Sequence, residues 1–88
     1  MPLSELASSR RIVGHRQVLR KIQQGHLQKL FVAKDAEEGR IRDLLEEAGK
    51  RGIAVEWCET MEMLGRACAI SRKAAVAGLA RENLDNFE

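Results

Sequence analysis

The chain has 88 residues, 44% of them apolar and 32% charged, and a net charge of +2. That length fills one core rather than two, and the balance is that of an ordinary globular domain, neither disordered nor membrane-like. Phe31, Trp57 and Phe87 are the only aromatics, so the core is built from Leu, Ile, Val, Ala and Met, and the composition argues against a base-stacking aromatic platform.

In chain order, a short N-terminal helix is expected around Leu3 to Ser8, followed by a brief strand at Arg11-Ile12-Val13. Gly14 then opens a helix that runs to about Gln24, and Gly25 closes it in the left-handed turn that favours glycine. Leu27 to Lys34 holds the continuous apolar run Leu30-Phe31-Val32-Ala33, the pattern of a strand buried on both faces. From about Glu37 to Arg51, Ile41, Leu44, Leu45 and Ala48 recur at three-and-four spacing, so this segment is an amphipathic helix, ending at Gly52. Ile53 to Cys58 is a further strand, and Thr60 caps a short helix carrying Met61, Leu64 and Cys68. Ala74 to Leu79 is a final strand of small residues, and the last residues, 82–88, are left as a polar tail. The alternation of strand and helix predicts a single domain over 1–88: an α/β protein, layered α/β/α, on a sheet that is largely parallel or mixed.

No stretch is long and apolar enough for a membrane span, and the start Met-Pro-Leu-Ser-Glu-Leu lacks the order of a secretory signal, which makes a cytoplasmic location the expectation. Cys58 and Cys68 stand without a Cys-x-x-Cys partner and are expected as reduced, buried thiols. No metal-ligand spacing, phosphate-cradling glycine run or nucleophile–base pair is present, so neither a cofactor nor enzymatic activity is expected.

The small net charge hides segregation. Between Glu5 and Asp35 lie seven cations and no acid; from Met63 to Arg81 lie Arg66, Arg72, Lys73 and Arg81, again without an acid. The stretch between, Asp35 to Glu62, carries nine acids against four cations. If the fold joins the two basic segments, their surface suits a polyanion, with counterion release supplying much of the affinity. In the helix after Gly14, Arg16, Gln17 and Arg20 share one arc of the wheel while Val18, Leu19 and Ile22 share the other. Arg16 and Gln17 lie in the first turn, where unpaired backbone N–H groups favour a phosphate, and both side chains can also address base edges.

Gly14-His15-Arg16-Gln17-Val18-Leu19-Arg20, Leu30-Phe31-Val32-Ala33-Lys34-Asp35-Ala36 and Leu64-Gly65-Arg66-Ala67-Cys68-Ala69-Ile70 occur in the order found in the L-seven-Ae ribosomal protein family. The chain most resembles its short bacterial members over nearly its whole length. The resemblance implies a three-layer α/β/α sandwich with a mixed four-stranded sheet that binds kink-turn RNA, a helix–bulge–helix element with tandem sheared G·A pairs. It also implies a monomer without a catalytic role, whose partner is a kink-turn in ribosomal or riboswitch-like RNA.

Carried over by position, Gly14 is the glycine that lets the backbone approach the RNA, and Arg16 and Gln17 fall at positions that read the G·A pairs. Arg20 takes the place of a family Lys, Lys21 beside it is a further expected RNA contact, Lys34 at the end of the central strand is expected to contact a phosphate, and Asp35 is expected as a helix cap. Ile70, Ser71, Arg72, Lys73 and Ala74 form the loop that closes over the splayed bulge nucleotide. This loop is more basic than the family pattern, and His15 stands where Thr is common. A protein-interaction module on the same fold, without specific RNA binding, is the competing expectation.

Overall fold

A computed structural model describes residues 2–81. The run Leu27–Ala33 forms the strand (β2) around which the molecule is organised, because its side chains alternate between two apolar layers. Leu30 and Val32 enter one, with Val18 and Ile22 of helix α1 (His15–Gln23) and Ile41, Leu44 and Ala48 of helix α2 (Glu38–Lys50). Phe31 and Ala33 enter the other, with Leu64 and Cys68 at helix α3 (Met61–Ala67) and with Leu6 from the N-terminal segment. Two helices therefore cover one face and α3 the other, which is the expected three-layer α/β/α sandwich.

The sheet also contains β1 (Arg11–Val13), β3 (Ala54–Cys58) and β4 (Val76–Ala80), in the order β1-β4-β2-β3. β3 runs parallel to β2, from Lys29 opposite Ala54 to Ala33 opposite Cys58, and β4 lies antiparallel between β1 and β2. The sheet is thus four-stranded and mixed, as the resemblance implied. Gly78 in β4 faces Leu30 on one side and Ile12 on the other, and a Cβ there would stand 2.6 Å from Leu27 Cδ1. Both cysteines are buried and free. Burial pushes the Cys68 thiol up from its ordinary value, which disfavours the reactive thiolate.

Three boundaries differ from expectation, each because backbone groups are used elsewhere. The N-terminal element is a 3₁₀ helix over Pro2–Leu6 rather than a helix from Leu3 to Ser8. Ser8 belongs to the following turn: its hydroxyl accepts from the Arg10 N–H (3.1 Å) and its carbonyl from the Arg11 N–H (3.2 Å). β3 starts at Ala54 because the Ile53 N–H bonds back to the Ala48 carbonyl (2.9 Å), closing α2 through Gly52 at φ +66. β4 starts at Val76 and not at Ala74, whose N–H reaches across to the Met61 carbonyl (3.0 Å). The expected polar tail, 82–88, lies outside the described residues. Among the described residues no helix is long and apolar enough to cross a membrane.

Candidate nucleic-acid interface

The pairing directions bring four strand ends to one side of the sheet: the C-terminal ends of β1, β2 and β3 and the first residue of β4. Gly14, leaving β1, donates its N–H to the Val76 carbonyl (3.4 Å), and the Ala33 N–H donates to the Ala75 carbonyl (2.9 Å). The start of α1 is thereby fixed beside the segment that leads into β4. That segment is positioned in turn by α3, which is capped twice. Thr60 Oγ1 accepts from the Met63 N–H (3.0 Å), and Asp35 Oδ1 accepts from the Met61 N–H (2.8 Å). Asp35 is thus a helix cap, but for α3 across the fold and not for α2, whose Glu37 makes no side-chain cap bond.

At the other end of α3, Gly65 is buried against the incoming backbone. A Cβ on it would lie 2.2 Å from the Arg72 carbonyl oxygen and 3.0 Å from the Lys73 Cα. The glycine is explained by this close packing of chain on chain. The turn out of α3 places Ala69 at φ +60, a left-handed conformation, with the Ile70 N–H bonded to the Gly65 carbonyl (3.1 Å).

The result is an open cleft of about 540 Å³ between the starts of α1 and α2 and the segment 72–76. Gly14 and Arg16 line one wall, and Arg72, Lys73 and Ala74 line another. The two basic segments of the sequence do meet. Gly14 holds φ +105 and ψ 147, open to glycine alone, and Gln17 folds back over it, with its Oε1 3.0 Å from where a Cβ would be. Arg20 and Lys21 lie further along α1 and Lys34 at the end of β2; none of the three lines the cleft. Ile70 and Ser71 lie on the other side of the loop, in a groove against α3 that Arg72 and Lys73 also line.

The sequence acid-free from Leu6 to Lys34 is not acid-free in space. Lys34 pairs with Glu59 (3.1 Å), and Lys29 pairs with Glu5 (2.8 Å) and Glu56 (3.5 Å). Arg10 and Arg11 bond the Ala80 and Ser8 carbonyls. Among the described residues, Arg16, Arg20 and Lys21 are the cations of that stretch without an ion pair or side-chain hydrogen bond, and Arg72 and Lys73 match them in the second segment. The unpaired cations that line the cleft are therefore Arg16, Arg72 and Lys73.

The third wall, from α2, was not singled out in the sequence, where this helix is marked only by its apolar spacing. Gly39 and Arg40 line the cleft there, together with His15 and Asp43, which join the two helices. His15 Nε2 stands 2.9 Å from Asp43 Oδ1. Through this hydrogen bond His15 holds the Asp43 carboxyl below its ordinary value, with partial burial opposing. A carboxyl lowered in the folded state adds stability above the unfolded-state pKa and loses it as pH falls through the folded one. Both side chains are about half exposed, 45% and 52%, so solvent screening holds the gain below about 1 kcal/mol. Urea midpoints measured from about pH 6 to pH 3 should fall less on acidification for Asp43→Asn than for the wild type; parallel curves would show that the pair adds nothing.

A mixed sheet between helical layers, with a cleft at its strand ends lined by the unpaired cations Arg16, Arg72 and Lys73, defines a small α/β/α domain. The chain belongs to the RNA 2′-O ribose methyltransferase substrate-binding family, whose model matches residues 11–64. It is 33% identical over 75 residues to an RNA-binding protein of Caldanaerobacter subterraneus subsp. tengcongensis, covering 85% of this chain and 92% of that relative. It is 28% identical over 76 residues to RNA-binding protein YbxF of Geobacillus stearothermophilus, covering 86% and 93%. Among solved structures, a protein of unknown function from Bacillus halodurans superposes with a TM-score of 0.78 at 27% identity, covering 88% of this chain and 81% of that one. The Giardia lamblia 15.5kD RNA binding protein superposes with a TM-score of 0.81 at 22% identity, covering 96% and 73%, which shows a shared fold. The resemblance read from the motifs stands.

Proposed function

We propose that this protein binds structured RNA without catalysing a reaction, and that its target is a kink-turn. The observation that carries the reading is the cleft itself, which sets Gly14 and Arg16 at the start of α1 against Arg72, Lys73 and Ala74. Support comes from the relatives named as RNA-binding proteins and from a family described by its RNA substrate. Arg16, exposed in the first turn, addresses the sheared G·A pairs with Gln17 beside it, while the loop 70–74 covers the bulged nucleotide. Arg20 and Lys21 extend the cationic face along α1 toward a stem. Lys34 joins them only by exchanging Glu59 for a phosphate. The reading includes a monomer acting in the cytoplasm on ribosomal or riboswitch-like RNA.

Gel-shift titration against a kink-turn RNA, and against the same RNA with Watson–Crick pairs replacing the sheared ones, tests the proposal. Weaker binding of the second RNA is expected; equal affinity for both removes kink-turn specificity. Arg16→Ala should cost about 1–3 kcal/mol of binding if the guanidinium makes a bidentate base contact. A loss that disappears at high salt would assign Arg16 to a phosphate instead.

A further inference from the structure

The groove between α3 and the segment 70–73 is separate from the cleft and has a volume of about 330 Å³. Arg66, Arg72 and Lys73 line it, with Glu62 as the acid. Arg72 and Lys73 border both hollows, so the two form one cationic surface that wraps the loop. Gly65 lets the loop backbone at Arg72 and Lys73 lie directly on the helix beside it.

Arg66 is held only by Glu62, one helical turn away, at 3.2 Å, with the two side chains 76% and 73% exposed. An exposed pair of this spacing is weak, and its cation can exchange a carboxylate for a phosphate at little cost. Elsewhere on the surface cations also carry acidic partners: Lys50 pairs with Glu47 and Lys34 with Glu59. Arg66 differs in standing beside two cations that have no partner among the described residues.

We infer that this groove is a second anion subsite, which takes backbone phosphates of the same RNA after the strand has passed over the loop, with Arg66 as its determinant. The inference rests on the RNA-binding reading. It extends the contact surface from the cleft to the opposite side of the loop, onto the layer that holds α3.

The experiment measures affinity and its salt dependence for the wild type, Arg66→Gln, Arg66→Lys, Glu62→Gln, Arg16→Ala and, as a remote charge control, Arg51→Gln. Each is titrated with a kink-turn RNA whose stems are short and with one whose stems are extended. Arg66→Gln should weaken binding of the extended RNA by about three- to tenfold at low salt and reduce the slope of log K against log salt by about 1. Arg66→Lys should restore the slope. Glu62→Gln should tighten binding, since the carboxylate competes with phosphate for Arg66, and Arg51→Gln should leave the slope unchanged. The inference is overturned if Arg66→Gln matches the wild type on both RNAs while Arg16→Ala loses affinity, and equally if Arg51→Gln weakens binding as much as Arg66→Gln does. A wild type without affinity for either RNA removes the parent reading, and this one with it.

Discussion

Gly65→Ala is expected to lower stability by about 2–3 kcal/mol, near the top of the range for overpacking a filled interior. The sign is the informative part. Glycine within a helix is normally a liability, and alanine there gains up to about 1 kcal/mol from propensity. At Gly65 the added methyl would stand 2.2 Å from the Arg72 carbonyl oxygen and 3.0 Å from the Lys73 Cα, both backbone atoms that move only with the whole loop. Steric cost therefore outweighs propensity. Gly49 provides the internal control: it lies in α2 with open space around the corresponding position, so Gly49→Ala should stabilise by about 0.5–1 kcal/mol. Urea unfolding measures both, with unchanged m-values expected. On the RNA-binding reading, Gly65→Ala also loses about tenfold in affinity, because the displaced loop carries Arg72 and Lys73 out of register with Arg16. An unchanged urea midpoint would falsify the claim that this contact sets the loop position.

Gly14→Ala is the second large effect, and its cause is backbone conformation. At φ +105 and ψ 147 an L-residue is strained by about 1–3 kcal/mol, and the structure offers little relief. The Gly14 N–H is bonded to the Val76 carbonyl, and its carbonyl accepts from the Val18 N–H (3.0 Å). Rotating φ out of the positive region breaks one bond or the other. The new Cβ would also press on Gln17 Oε1 from 3.0 Å, moving the amide that folds across the start of α1. The expected outcome is a protein less stable by about 2 kcal/mol whose RNA affinity falls further than that of Gln17→Ala. Gly14→Ala and Gln17→Ala with equal affinities would show that the glycine serves the fold alone.

Much of this fold was legible because its elements carry separate signals. Leu30-Phe31-Val32-Ala33 has no polar face, so it had to be an interior strand, and α2 declares itself through Ile41, Leu44 and Ala48. The insertion of β4 between β1 and β2 was not legible, since nothing local in Val76-Ala77-Gly78-Leu79 names its neighbours. Gly78 makes sense only once Leu27 is seen against it. The candidate site divides in the same way. Arg16, Arg72 and Lys73 were found together through motif order, whereas Arg40, His15 and Asp43 needed the fold, because α2 meets α1 through residues remote in sequence. Charge runs misled where partners come from afar: Lys34 looks free beside Ala33 and is paired with Glu59, 25 positions away.

Ala69 adopts φ +60 where glycine is the usual choice, at a cost of about 1–2 kcal/mol. A glycine would remove that cost, yet it would also let the segment after α3 sample many more shapes while the cleft is empty. Alanine gives the turn fewer alternatives than glycine would, so on the RNA-binding reading the loop has less conformational entropy to lose when RNA binds. On that reading, any gain in affinity therefore comes from the narrower range of shapes open to alanine in the free chain, not from the backbone strain itself, which is the same with and without RNA.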